Sequence, residues 1–220
     1  MSFALPAIPP ERFAAALVPL SPQVLSERAL AALYAHYLEL DRWNRRLSLI
    51  GKGTAEEILS RHYGESLAAL ALLPEEARVV VDLGSGGGFP GLVLAASRPS
   101  LSMTLVEARE RKCHFLAAAA RRASLPCRCL NVRVRQPLPA ELPETIDVVT
   151  SRALKLPPEV LADLAGRLTR SGCLLLWVGE ADPALPPSLH VAASRPLAGS
   201  ERRRILRLVP RGVPAKAAAG

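Results

Sequence analysis

Residues 79–91 read Val-Val-Val-Asp-Leu-Gly-Ser-Gly-Gly-Gly-Phe-Pro-Gly. Few arrangements accommodate that order. An apolar, β-branched run demands a buried strand. It leads directly into an acidic residue and a glycine loop. Pro90 then opens a helix, because its fixed φ suits the first helical position. Glycines let the backbone take positive φ and approach a ligand closely. The free N–H groups of the following helix face the same space. Such a loop ends the first strand of a doubly wound sheet, where that architecture binds its cofactor.

The rest of the chain supplies the sheet. After Val79–Leu83 the pattern predicts a helix over Gly91–Ser97, a strand over Ser102–Val106, a helix over Lys112–Ala123 and a strand over Cys127–Val132. A strand over Ile146–Thr150, a helix over Pro158–Leu168 and a strand over Gly172–Val178 follow. Repeated β-α-β units imply an α/β fold with a mostly parallel sheet and helices on both faces. Leu189–Ala193 and Ile205–Val209 read as an antiparallel edge hairpin. Upstream, Leu30, Leu33, Tyr37, Leu40 and Leu47 recur at helical spacing, and a second helix is predicted from Thr54, as N-cap, to Pro74. Four stretches result. Residues 1–25 are a Pro/Ala-rich segment expected to be partly mobile, with one short helix at Glu11–Leu17. Residues 26–74 are a helical extension, 75–210 the cofactor-binding domain, and 211–220 a flexible tail.

The glycine spacing narrows the cofactor. From the strand end it runs Gly84-x-Gly86-x-Gly88, the pattern of class I methyltransferases that use S-adenosylmethionine. A dinucleotide G-x-G-x-x-G would need glycine where Phe89 stands, and can be recovered only by starting at Gly86, two residues past the strand end. A phosphate-binding G-K-[ST] is missing. The second strand ends at Glu107, 19 residues after Gly88. That is close to the offset at which a carboxylate reaches ribose hydroxyls. Asp82, Gly84, Gly86, Gly88 and Glu107 are therefore the candidate cofactor-binding residues of the loop and second strand.

Three segments then resemble one family. "DLGSGGGFPGLVLA" (82–95), "LVEARERKCHFL" (105–116) and "IDVVTSRAL" (146–154) look like the bacterial glucose-inhibited division protein B family, the small-subunit rRNA guanine-N7 methyltransferases. Tyr37-x-x-Leu40-x-x-Trp43-Asn44 resembles that family's Y-x-x-L-x-x-W-N, and Arg61–Leu67 resembles its H-x-x-D-S-L. The resemblance covers about residues 30–209. It implies S-adenosylmethionine contacts at Gly84, Phe89, Val134-Arg135 and Arg152, with 16S rRNA or the small subunit as partner. Arg152 closes the fourth strand, at the edge where the reacting methyl belongs. It either positions the target base or its phosphate, or pairs structurally with Asp82 or Glu107. Some positions depart from the family: Ser48 and Ile50 stand in its Asn-Leu-Thr, Glu65 in its Asp-Ser-Leu, Val178 in its Leu-Lys-Gly, and Arg135 where an acid is usual. These departures bear on the RNA target more than on the cofactor.

The residue inventory agrees with that chemistry. Guanine N7 has a free lone pair and no proton, so its methylation needs positioning rather than a general base. No nucleophile–histidine constellation is present, and no Asn-Pro-Pro-Tyr segment follows the fourth strand. His36, His62, His114 and His190 read as structural. Cys113, Cys127, Cys129 and Cys173 lack zinc-ligand spacing and suit a reducing cytosol. No metal is expected. The net charge of +8 comes with 24 arginines and only four lysines. That excess fits GC-rich coding and also a polyanion partner. Arg202, Arg203, Arg204, Arg207 and Arg211 form the main cluster, read as a phosphate track that Arg42, Arg45 and Arg46 extend. No apolar run spans a bilayer, and Met1–Pro10 lacks the pattern of a signal peptide, so a cytoplasmic location is expected; a monomer is expected as well, though no sequence feature fixes the oligomeric state. The alternatives are a methyltransferase with another target, a non-catalytic relative that binds S-adenosylmethionine or RNA, and, third, an NAD-dependent dehydrogenase.

Overall fold

The computed structural model describes residues 3–152 and 154–212. Seven strands form one sheet: β1 (Val79–Leu83), β2 (Ser102–Val106), β3 (Arg128–Leu130), β4 (Ile146–Ser151), β5 (Leu168–Val178), β6 (Leu189–Pro196) and β7 (Arg204–Pro210). Their order is β3-β2-β1-β4-β5-β7-β6. The first five run parallel. β7 runs antiparallel to both β5 and β6, which makes the expected edge hairpin. β1 lies between β2 and β4, so the chain reverses its winding there. A crevice opens at that switch point, outside the carboxyl ends of the strands.

Side chains alternate across β1. Val80 joins the core on one face, and Val81 and Leu83 join the core on the other. The first face carries α2 (Glu27–Leu47), α4 (Gly91–Ser97) and α5 (Glu110–Arg122), and the second carries α6 (Pro158–Arg167). Phe13, Leu33, Tyr37 and Leu40 share one buried cluster with the sheet residues Val80, Val148 and Leu175. The N-terminal helices are thus a layer on the sheet's own core.

Three expectations need correction. The segment before α2 is tied down. α1 (Pro10–Leu17) buries Phe13 and Leu17 completely. Asp41 accepts from the Leu5 N–H at 2.7 Å, Asn44 donates to the Phe3 carbonyl at 3.1 Å, and Tyr37 donates to the Pro6 carbonyl. Backbone groups that would be mobile in water are held by polar side chains of α2. The second correction concerns Thr54. It caps no helix; it closes a short 3₁₀ turn, Lys52–Thr54. A π-helical stretch, Ile58–Gly64, follows and runs into α3 (Glu65–Leu67) and a last 3₁₀ turn, Ala68–Leu72. Third, Pro90 occupies the N-cap, one residue before the first helical position. Ser26 does cap α2, its hydroxyl accepting from the Ala29 N–H at 3.2 Å. Residues 213–220, most of the expected flexible tail, and Ala153 of Ser-Arg-Ala lie outside the described residues.

Candidate active site

A cavity of about 560 Å³ lies at the carboxyl ends of β1, β2 and β4. Its floor is the glycine loop. Gly84 and Ser85 both donate to the Val106 carbonyl, at 2.8 and 3.1 Å, which ties the loop to the end of β2. Two loop positions admit only glycine. Gly84 has φ +72°, and an added Cβ would stand 2.6 Å from Leu154 Cγ. Gly88 has φ +86°, and its Cβ would meet Leu92 Cδ1 at 2.6 Å and His36 Nε2 at 2.9 Å. Gly84, Gly86, Phe89, Glu107, Val134 and Arg152 all line the cavity.

Glu107 sits at the mouth as expected, and it is almost fully buried. Its Oε2 accepts from the Gly86 N–H at 3.1 Å, and its Oε1 accepts from the Arg109 N–H at 2.9 Å. One carboxylate therefore links β2 to the glycine loop, while an ionised oxygen pair still has lone pairs free for a ligand.

Three other candidates are placed differently from the sequence expectation. Asp82 does not face the cavity. It lies beneath the loop, where Oδ1 accepts from the Thr150 hydroxyl at 2.7 Å and Oδ2 from the Gly91 N–H at 3.3 Å. Burial pushes its carboxyl up to about 6. Gly88 also stays off the cavity lining, because its role is the turn. Of the pair Val134-Arg135, Val134 lines the cavity, while Arg135 is exposed outside it, and Arg133 lines the cavity in its place.

Arg152 pairs with neither Asp82 nor Glu107. Its Nη2 donates to Glu65 Oε2 at 3.1 Å and to the Arg61 carbonyl at 2.6 Å. The other oxygen of Glu65 takes Arg203 from the β6–β7 hairpin. Burial lifts the Glu65 carboxyl above its ordinary value against the pull of Arg152, Arg203 and Arg61. The guanidinium also stands 6.0 Å from the centre of the Phe89 ring. Arg152 thus lines the cavity and is anchored from behind.

His36, read from the sequence as structural, makes a contact that composition and spacing did not foresee. It is buried on α2, with Nε2 2.9 Å from the Gly87 carbonyl and Nδ1 2.9 Å from the Tyr63 hydroxyl. A carbonyl only accepts, so Nε2 carries the proton and the Tyr63 O–H donates to Nδ1. Burial holds the ring neutral, with its pKa lowered to about 4. The helical layer thereby grips the backbone of the glycine loop. The only sequence signal was position: His36 shares the buried face of α2 with Leu33, Tyr37 and Leu40. His62, which unlike His36 lines the cavity, has been driven down to about 3 by burial and the charge of Arg152. Burial raises the Cys127, Cys129 and Cys173 thiols to about 12, 11 and 11. None of these is a base or thiolate nucleophile at neutral pH.

Comparison with known proteins agrees with this geometry. A family model described as rRNA small subunit methyltransferase G matches residues 29–182. The chain belongs to that family. A ribosomal RNA small subunit methyltransferase G of Acidiphilium cryptum is 42% identical over 147 residues, 66% of this chain and 66% of that protein. One of Jannaschia sp. is 36% identical over 159 residues, 70% of this chain and 74% of that protein. Among such relatives the aligned part spans from 57% to 78% of their length. Solved structures share the fold. TrmN from Thermus thermophilus superposes with a TM-score of 0.52 at 20% identity, over 69% of this chain and 53% of that one. A SAM-dependent methyltransferase from Aquifex aeolicus gives 0.52 at 14% identity, over 70% and 93%. The family-like motif of α2 is thereby explained physically. Tyr37 and Asn44 hold the N-terminal segment, Asn44 Oδ1 accepts from the Ile50 N–H at 2.8 Å, and Trp43 donates to Glu39 at 2.7 Å.

The Arg202–Arg204 cluster is mostly spoken for. Arg202 lies 3.5 Å from Glu180, Arg203 is held by Glu65, and Arg204 is 2.5 Å from Asp182. Three arginines of the expected phosphate track thus have acidic neighbours, whereas Arg207 and Arg211 form no ion pair among the described residues.

Proposed function

We propose that this chain transfers the methyl group of S-adenosylmethionine to N7 of a guanine in 16S ribosomal RNA. We further propose that it acts in the cytoplasm, as a monomer, on the rRNA or small ribosomal subunit. The observation that carries the reading is the coincidence of three features at one sheet edge. These are a glycine loop shaped for close backbone approach, Glu107 at the ribose offset, and a guanidinium beside them, in a chain of the methyltransferase G family. The residues fit the cofactor: Gly84 and Gly86 would leave its approach open, Glu107 would accept from ribose hydroxyls, and Val134 and Phe89 would offer apolar contact. When bound, S-adenosylmethionine supplies an electrophilic methyl on a sulfonium.

The chain's own residues supply position and solvent exclusion. Guanine N7 carries no proton, so nothing in the site needs to accept one, and the low proton affinity of His62 is no obstacle. Arg152, its Nη2 fixed by Glu65 and the Arg61 carbonyl, keeps its remaining N–H groups on the cavity side, where a guanine O6 or substrate phosphate would be held in line with the methyl. Among the described residues, no helix is long and apolar enough to cross a membrane. Their exposed large apolar side chains, Val18, Val24, Leu38, Leu154 and Val191, are scattered over separate elements, which favours a monomer.

The test is methyl transfer by the purified chain from labelled S-adenosylmethionine to 16S rRNA or small subunits that lack the modification. Label recovered as N7-methylguanosine is the expected result. Label on an exocyclic amine or a ring carbon, or no label in rRNA, contradicts the reading.

A further inference from the structure

The last two turns of α2 and the first turn of α5 line a second cavity, of about 460 Å³. Arg42, Arg45 and Arg46 enter it from α2 and Arg111 from α5, against a single carboxylate, Asp41. Trp43 and Leu47 complete the lining. Asp41 is engaged by Arg45 at 2.9 Å, and Glu39 takes Arg42 at 3.5 Å. Arg46 and Arg111 form no ion pair among the described residues. The Trp43 N–H is spent on Glu39, which leaves that ring only apolar surface to offer.

Cations at the end of α2 suit the negative pole of a helix. Those at the start of α5 do not. Beside Glu110, which suits that pole, Arg109, Arg111 and Lys112 crowd the N-terminal turn, where a positive charge opposes the helix dipole. Helix stability does not explain these three cations. The place is also informative. Arg109 and Lys112 line the cofactor cavity, as do Leu49 and Ile50 just beyond α2, so the two cavities share chain segments.

We infer that this cleft binds a single-stranded nucleotide flanking the target guanine. Arg46 and Arg111 take its phosphodiester, and the base or ribose lies against Trp43 and Leu47. A simple inorganic anion would have no use for the apolar part of the lining, whereas unpaired RNA combines both chemistries. The inference rests on the reading of the chain as an rRNA methyltransferase. It also moves the RNA track away from Arg202–Arg204, which are already paired.

The experiment measures binding of a short oligouridine and of 16S rRNA across a salt series. The proteins are the wild type, Arg46→Ala/Arg111→Ala, and the control Arg202→Ala/Arg204→Ala. The Arg46/Arg111 variant should lose at least about tenfold in affinity near 0.15 M salt. Its slope of log K against log salt should flatten by about 1.4, since each phosphate contact on a single strand contributes roughly 0.7. The control should keep the wild-type slope, and Arg46→Lys/Arg111→Lys should recover most of the affinity. S-adenosylmethionine affinity within about twofold of wild type shows that the fold is intact. The chain has two tryptophans, so Trp177→Phe leaves Trp43 as the sole reporter. Oligouridine should quench it, and the quench should vanish when Arg46 and Arg111 are also replaced. Wild-type affinity and slope in the Arg46→Ala/Arg111→Ala variant, or no quench, overturns the inference. If the wild type methylates no rRNA yet loses oligouridine with these arginines, the proposed substrate fails and the cleft stands.

Discussion

Both carboxylate oxygens of Glu107 already accept backbone N–H groups, from Gly86 at 3.1 Å and Arg109 at 2.9 Å. Removing the side chain therefore takes away the proposed ribose acceptor and two backbone contacts of the loop. Glu107→Ala should weaken S-adenosylmethionine binding by about 1.5–3 kcal/mol, the loss expected for a hydrogen bond to a charged group. Titration calorimetry reads this directly, and wild-type affinity would remove Glu107 from the site. His36 gives a pH signature. Its folded pKa, about 4, is depressed below the ordinary 6.5. The neutral ring thus contributes stability that is present above pH 6.5 and is lost as the pH falls through 4. The span corresponds to about 3 kcal/mol at 1.36 kcal/mol per unit. Urea unfolding of wild type and His36→Gln between pH 7 and 4 should show the gap between them closing as acid is added; a constant gap would contradict the neutral ring. For Arg152, replacement alone leaves buried Glu65 with one partner fewer. Arg152→Met should cost stability, and Glu65→Gln/Arg152→Met should recover part of it. Single-turnover methylation should stay impaired in both, because positioning is not restored. Recovery of turnover in the double variant would make Arg152 a purely structural residue. Glycine spacing and the strand-end acid were legible residue by residue, since each has a local backbone reason. The Glu65 anchor and the His36 contact were not, because they join residues 87 and 51 positions apart and leave no periodic trace.

Elements followed the same division. Every strand and the helices packed on the sheet were readable from period and length, and differ from the expected bounds by only a few residues. β3 is shorter than expected, and β5 begins earlier. The π-helical stretch Ile58–Gly64 escaped, because hydrophobic spacing does not distinguish it from an α-helix. The N-terminal segment escaped because proline-rich composition suggests mobility, while its order comes from α2 side chains reaching its carbonyls. Phe13 makes edge contacts with Tyr63 at 5.2 Å and Tyr34 at 5.3 Å between ring centres. Phe13→Ala should therefore destabilise the protein by about 3–5 kcal/mol, as for other buried Phe truncations. Denaturant unfolding checks this, and a cost below about 1 kcal/mol would mean that the segment is loosely held. Ser48 ends α2 in the left-handed region, at φ 48°. It stands where the resembled family has asparagine, which tolerates that conformation better. Ser48→Gly should stabilise the chain by roughly 1 kcal/mol, visible as a raised melting temperature; a lowered one would indicate that the hydroxyl matters.

On the scale of the whole molecule, one sheet carries the cofactor crevice, and the helical layer completes it. His36 reaches the loop from α2, Arg61 and Glu65 hold Arg152 from the π-helical stretch and α3, and Arg203 joins them from the hairpin. Topology was legible because βαβ alternation admits few solutions. The distribution of charge was not, because ion pairing is invisible in a count of arginines. The central claim is that this crevice delivers a methyl group to a guanine N7 of 16S rRNA through Glu107 and the glycine loop. Borohydride reduction and aniline cleavage report N7-methylguanine in rRNA as strand breaks. The measurement compares rRNA from a strain deleted for this chain, complemented either with the wild type or with Glu107→Ala. A break at one guanine that is present with the wild type, lost on deletion and strongly reduced with Glu107→Ala is the predicted result. A break that survives deletion, or fails to return with the wild type, would contradict the account.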